Sequence, residues 1–326
     1  MSTTTVSNLS VIQSLTAALQ QQKASLATLS EQLASSKKYS NLTDYTASEA
    51  RTLINLQASA TQKQAYINVI TTVSTNLSVY DATLTDLEEI TSQARSLANN
   101  NPTYSADVAL NVVTQTNSYL KSVTVDLNQE LNGRCLYAGS RYDIQPVQDL
   151  STLPSSTIPD PADVPTTDPA LPSYDTEYVD SSSTSEAAYT TDRATIDSGY
   201  VVDYGMTSNN VAFQQLVAGL RYLQAAGNAT DAATYSTYMN QASTMLASAM
   251  TSLQTLHTTI ANNMNTMSSQ KTAQEASISS LTDQVADIQQ VDTTQVAVEI
   301  TTLEALLQAS YSATGSILNM SIVNYL

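Results

Sequence analysis

Apolar side chains recur along the start of the chain in alternating steps of three and four: Ile12, Leu15, Leu19, Leu26, Leu29 and Leu33, with polar Gln22 filling one position. After the polar stretch SSKKYSN the stripe resumes at Ile70, Val73, Leu77, Tyr80, Leu84 and Leu87. Near the other end Met239, Ala242, Leu246, Ala249, Leu253, Leu256 and Ile260 repeat it, and Val296, Ile300, Leu303 and Leu307 restart it after QVDTT. Stripes sustained over three or more heptads predict amphipathic helices packed as coiled coils. NNNP at Asn99–Pro102 ends the second helix, because the residue before a proline avoids the helical region. A further helix is expected from about Tyr104 to Leu131.

Glycine and proline divide the rest. Residues 1–132 hold no Gly and one Pro, residues 228–326 no Pro and one Gly, and seven of the eight prolines fall between Pro146 and Pro172. GRCLYAGSRYD, Gly133–Asp143, and TIDSGYVVDYGMT, around Val201 and Val202, read as short strands or hairpins set between glycines. They bracket the Pro-rich stretch and are expected near each other. The two breaks, Lys37–Asn41 and Gln290–Thr294, lie at mirrored distances from the ends. The pattern therefore predicts a mainly α protein, a long antiparallel coiled-coil bundle of N- and C-terminal arms with a small β-containing central insertion. The expected domains are 1–42 with 292–326 as paired terminal helices, 43–145 with 199–291 as a long-helix bundle with hairpins, and 146–198 as a Pro-rich acidic outer insertion.

Charge narrows the chemistry. The chain carries 12 Lys+Arg against 29 Asp+Glu, a net −17, and twelve of the acids against one base lie between Asp143 and Asp203. Such a field repels phosphate backbones, so nucleic acid is not an expected partner. One Cys, Cys135, and one His, His257, are too few for a zinc site or a disulfide framework. His257 sits in a helical pattern beside Leu256 and is expected to be a helix-side residue, not a catalytic one. DPADVPTTDP lacks the turn glycine of a calcium loop and reads as a solvated loop. No metal or cofactor is expected. The N-terminal segment lacks the basic, apolar and cleavage regions of a signal peptide, and no stretch has the apolar length of a membrane span.

Both ends lack charge: the first charged side chain is Lys23 and the last is Glu304. In the final stretch, Leu306–Leu326, Ser, Thr, Asn and Gln fill the gaps between apolar residues. Hydrocarbon would penalise those groups, whereas a protein interface satisfies them. The ends are thus expected to be buried against other protein, and to order on assembly. The competing reading, intramolecular packing of the two ends, draws on the same residues.

VDTTQVAVEITTLEALLQASYSATGSILNMSIVNYL resembles the terminal helix of bacterial flagellins and hook-filament junction proteins (hook-associated protein 3, the FlgL type), and LATLSEQLASSKKYSNLTDYTASEARTLINL is similar to their first helix, break and second helix. VTVDLNQELNGRCLYAGSRYDIQPV looks like the junction protein's segment more than flagellin's, and YGMTSNNVAFQQLVAGLRYLQAA also resembles a junction-protein segment. The family usually has a Gly and an Asp-rich cluster after its first helix. SSKKYSN and TDYTASEA stand there instead, which marks a divergent branch.

The resemblance implies a flagellar structural subunit that joins the hook-associated ring to the filament through terminal-helix packing, with flagellin itself as the alternative. It implies an inner tube of terminal helices, a shell of the next helices and an outward insertion. The implied partners are a hook-associated protein 1 type subunit, flagellin, copies of itself and a cytoplasmic export chaperone. The implied route is flagellar type III export to the cell exterior without a cleaved signal. Ile12, Leu19, Leu26, Leu303, Leu307, Ile317 and Ile322 are the expected assembly contacts. An enzymatic insertion would need a ligand set such as H-E-x-x-H, which one His cannot supply. A helical secretion or signalling module is the third reading.

Overall fold

The computed structural model describes residues 2–153, 158, 160–164 and 190–323; no side chain is described for residues 1–9, 11, 12 and 317–326. The described residues form α1 (Ser2–Ser35), α2 (Ala47–Asn100), α3 (Ala106–Leu127), β1 (Glu130–Leu131), β2 (Arg134–Cys135), β3 (Arg193–Asp197), β4 (Tyr200–Asp203), α4 (Val211–Gly227), α5 (Ala232–Gln289) and α6 (Thr293–Val323). They divide into two compact units, one of residues 1–62 with 276–326 and one of residues 63–275.

Side-chain caps start the helices where the sequence places Ser, Thr, Asp or Asn, each able to satisfy an orphan N–H. Thr46 and Glu49 form a reciprocal capping box at α2, the Thr46 N–H donating to Oε2 of Glu49 at 3.1 Å and the Glu49 N–H to Oγ1 of Thr46 at 3.3 Å. Ser105 accepts from Val108 N–H at 3.2 Å, Asn210 from Ala212 N–H at 3.0 Å and Asp231 from Thr234 N–H at 2.9 Å.

In the unit of residues 63–275, α2, α3, α4 and α5 run antiparallel in succession. Ser243 Oγ donates to Asn99 Oδ1 at 2.9 Å between α5 and α2, and Gln224 Nε2 to Asn117 Oδ1 at 2.7 Å between α4 and α3. Ser252 Oγ donates to Gln215 Oε1 at 2.8 Å between α5 and α4. The predicted α2 stripe, Ile70 to Leu87, is buried at every position, and in the α5 stripe only Leu256 is half-exposed. Burial of this kind contributes about 1.5–3 kcal/mol per large aliphatic side chain, before conformational entropy is set against it.

α4 is buried all round: 14 of its 17 residues are buried, which α3 and α5 alone would not achieve. Residues 147–153 supply the missing cover. Asn128 binds the Val147 backbone at both ends of its amide, at 2.7 and 3.0 Å, and Arg221, 1% exposed, donates to Leu153 O at 2.9 Å and Gln224 Oε1 at 2.8 Å. Val147, Leu150 and Leu153 thereby join the bundle core. The stretch just after Pro146 is therefore part of this unit, while residues 165–189 of the expected insertion lie outside the described residues.

α3 ends at Leu127, short of the Leu131 expected from sequence. Glu130 and Leu131 are drawn off into pairing with Cys135 and Arg134 across the two-residue turn Asn132–Gly133. Both turn residues have positive φ, 54° and 75°, the conformation that Asn-Gly hairpin loops favour. The second hairpin, β3–β4, pairs Ala194 with Val202. The two regions meet as expected: Ala138 bridges Thr207, Ser208 N–H donates to Tyr137 O at 2.9 Å, and Tyr142 OH donates to Asp192 Oδ1 at 2.9 Å.

Candidate assembly interface

The pairing of the terminal helices begins at the breaks that bound them. α1 stops at Ser35, and Ser36 takes a left-handed φ of 56°. Lys37 then bridges Gln290, with Lys38 N–H donating to Gln289 O at 2.7 Å and Val291 N–H to Ser36 O at 3.2 Å. The two mirrored interruptions are thus joined by one isolated bridge with two backbone hydrogen bonds. Tyr45, 7% exposed, backs the break: its OH donates to Tyr39 O at 3.2 Å and the two rings meet edge to face at 5.1 Å. Asp292 then caps α6, accepting from Thr294 N–H at 2.9 Å and Gln295 N–H at 3.1 Å.

Beyond the breaks, α1 and α6 pack antiparallel. On α1 the half-buried positions are Leu15, Leu19, Gln22, Leu26, Leu29 and Gln32; on α6 they are Ile300, Leu303, Ser310 and Thr314, with Val296 and Leu307 fully buried. Both sets follow steps of three and four. Leu33, expected on the seam, is 40% exposed, because the last step is three and brings Gln32 inward, where its amide donates to Lys38 O at 2.8 Å. Lys23 stands over the Tyr311 ring, 5.5 Å from its centroid, an attraction between ammonium and π-face that keeps the first charge of α1 on the seam's flank.

Four of the expected assembly contacts therefore come together within the chain: Leu19, Leu26 and Leu303 are half-buried and Leu307 is 7% exposed. The side chains of Ile12, Ile317 and Ile322 lie outside the described residues. The outward faces are carried by residues that the heptad reading did not name. Val298 is 62% exposed, Leu306 50% and Tyr311 49%. Ala305, Ala309 and Ala313 are exposed beside them. Once 296, 300, 303 and 307 are assigned to one seam, the uncharged run after Glu304 leaves Leu306, Ala309 and Ala313 on one side of it and Tyr311 on the other.

Among the described residues of this unit the fully buried apolar side chains are Tyr45, Leu53, Val296 and Leu307. In the other unit whole stripes are buried. A helix pair whose seam residues stay half-exposed has two layers' worth of apolar surface and only one interface in which to bury it. Covering the remainder would stabilise the pair by on the order of 1 kcal/mol for each large side chain.

The chemistry-bearing residues sit elsewhere. Cys135 is buried, and burial first, then the neighbouring Glu130 carboxylate, pushes its thiol above the ordinary value. His257 lies between two carboxylates of α2. Among the described residues no group of three His, Cys, Asp or Glu side chains could hold a metal ion, and no helix is long and apolar enough to cross a membrane.

No protein-family model and no curated protein matches the chain. Solved structures do. A structure described as a flagellar hook-associated protein from Vibrio parahaemolyticus superposes with a TM-score of 0.57 at 16% identity, covering 76% of this chain and 100% of that one. FlgL from Bacillus cereus gives a TM-score of 0.45 at 16% identity, covering 72% of this chain and all of the other. The Vibrio comparison establishes a shared fold, which in this chain is mainly α with long helices and small hairpins. A mainly α fold with long helices and small hairpins is what the sequence pattern predicted.

Proposed function

We propose that this protein is a structural subunit of the bacterial flagellum, and that it joins the hook-associated ring to the flagellin filament. The observation that carries the proposal is the half-buried α1–α6 seam, with the exposed apolar side chains Val298, Leu306 and Tyr311 of α6 outside it. These surfaces are suited to neighbours that bring further uncharged helices, such as a hook-associated protein 1 type subunit, flagellin and copies of this chain. The fold shared with the Vibrio hook-associated protein supports the same reading. So does the meeting of the two junction-like segments: Tyr137 of the LNGRCLYAGS stretch packs edge to face on Phe213 at 5.6 Å and on Tyr80 at 5.2 Å. The working parts are interfaces; no catalytic role is assigned to any residue.

In this account the chain leaves the cell through the flagellar type III channel, held beforehand by a cytoplasmic chaperone. Purified protein added to preformed hooks tests the junction role against flagellin. A junction subunit adds a collar of limited length; unlimited elongation moves the protein to the filament.

A further inference from the structure

His257 on α5 reaches α2 with both ring nitrogens. Nε2 lies 2.9 Å from Asp81 Oδ1 and Nδ1 lies 3.0 Å from Glu88 Oε1. Asp81 and Glu88 are seven residues apart, two turns on one helix face, so a single imidazole fits between them with one carboxylate on either side. A neutral imidazole has one N–H; it can bond one carboxylate and must turn a lone pair towards the other. Two bonds of this length require both nitrogens to donate.

We propose that His257 is held as an imidazolium between Asp81 and Glu88, and that this doubly paired ring is a proton-dependent clamp joining α5 to α2.

Among the described residues the ring's hydrogen-bond partners are Asp81 and Glu88. Of the elements packed on this stretch of α5, α4 presents the neutral amide of Gln215 to Ser252, and the β3–β4 hairpin presents the backbone carbonyl of Asp203 to Asn263. The Asp203 carboxylate itself is occupied by Arg193 at 2.5 Å. Among the described residues Asp81 and Glu88 are thus the carboxyl groups that face the ring, and both favour its charged form. The bond to Glu88 raises the ring's pKa most, the bond to Asp81 adds to it, and burial opposes them. The ring's nitrogens point to opposite carboxylates, so a metal ion could not take both, and a proton is the ligand this site suits.

The sign of the effect follows from pairing. The folded-state value is raised above that of the free imidazole, so the clamp is complete below about pH 6.5 and is lost as pH climbs through the folded value. Deprotonation removes one of the two bonds and places a lone pair against a carboxylate between α5 and α2. All three side chains are a quarter to two-fifths exposed, so water softens the loss but does not abolish it.

The chain has one histidine, which makes the test direct. Nitrogen-15 NMR of the full-length protein at pH 7 should show both ring nitrogens protonated, with a titration midpoint raised above that of a free imidazole. Asp81→Asn with Glu88→Gln should bring that midpoint back towards 6.5. Between pH 7 and 9 the wild type should lose about 2–4 °C more in melting temperature than His257→Gln. A midpoint at or below 6.5, one bare nitrogen at pH 7, or equal pH slopes in wild type and His257→Gln would each overturn the proposal. The NMR reading decides the matter even if a variant fails to fold.

Discussion

Lys38 donates its backbone N–H to Gln289 O at 2.7 Å, joining the end of one break to the end of α5 across most of the sequence. This bond, with its neighbour from Val291 to Ser36, fixes the register in which α1 meets α6. The residue that turns the chain into it, Ser36, holds a φ of 56°, which an L side chain adopts at a cost of about 1–2 kcal/mol.

Ser36→Gly should therefore stabilise the terminal pair by about 0.5–1 kcal/mol, the relief of strain being offset in part by glycine's freedom in the unfolded chain. Slower amide hydrogen exchange at Lys38 and Val291 would register the gain. Faster exchange would mean that the left-handed turn is not what limits the register.

α4 and α3 approach so closely at Gly227 that a Cβ there would lie 2.6 Å from both the backbone nitrogen and the Cβ of Val113. A backbone neighbour cannot swing aside. Gly227→Ala should destabilise the bundle by about 1–3 kcal/mol, measured by urea denaturation.

Asp126 of α3 is pushed up to about 6, first by burial and then by the Asp86 carboxylate of α2. Its folded value is above the unfolded one, so the native state binds the extra proton between about pH 4 and 6, and stability falls as pH rises through that window. Asp126→Asn should flatten this limb and stabilise the protein at pH 7 by about 1 kcal/mol, a figure reduced for the group's partial exposure. An unchanged pH profile would show that water reaches the carboxyl freely.

On the proposed role, adjacent leucines of α6 should separate folding from assembly. Leu307 is 7% exposed and Leu306 50%. Leu307→Ala should weaken the α1–α6 pair by about 2 kcal/mol. Leu306→Lys should shift the monomer's stability by no more than about 0.5 kcal/mol, yet block incorporation at the hook tip. If Leu306→Lys assembles normally, the outer face of α6 is not an interface.

Much of the fold was legible because its stripes keep one period. Ile70 through Leu87 and Met239 through Ile260 alternate steps of three and four, and their burial follows that period. NG at Asn132–Gly133 specified its own turn. Three features were hidden because they depend on distant partners. α3 stops early because Glu130 and Leu131 find Cys135 and Arg134. Residues 147–153 join the core because α4 has one more apolar face than its helical neighbours can cover. Leu33 faces solvent because Gln32 reaches Lys38 O. Periodicity located the α1–α6 seam through Leu19, Leu26, Leu303 and Leu307, half-buried or buried within the pair. It did not single out Val298, Leu306 or Tyr311, since an exposed apolar face has no period of its own until the seam beside it is assigned.

The junction role is tested most directly by electron microscopy of cells lacking this gene, with flagellin assayed in the medium. A junction subunit predicts hooks without filaments and flagellin shed into the medium. Intact filaments, or filaments lost with no flagellin released, would contradict it.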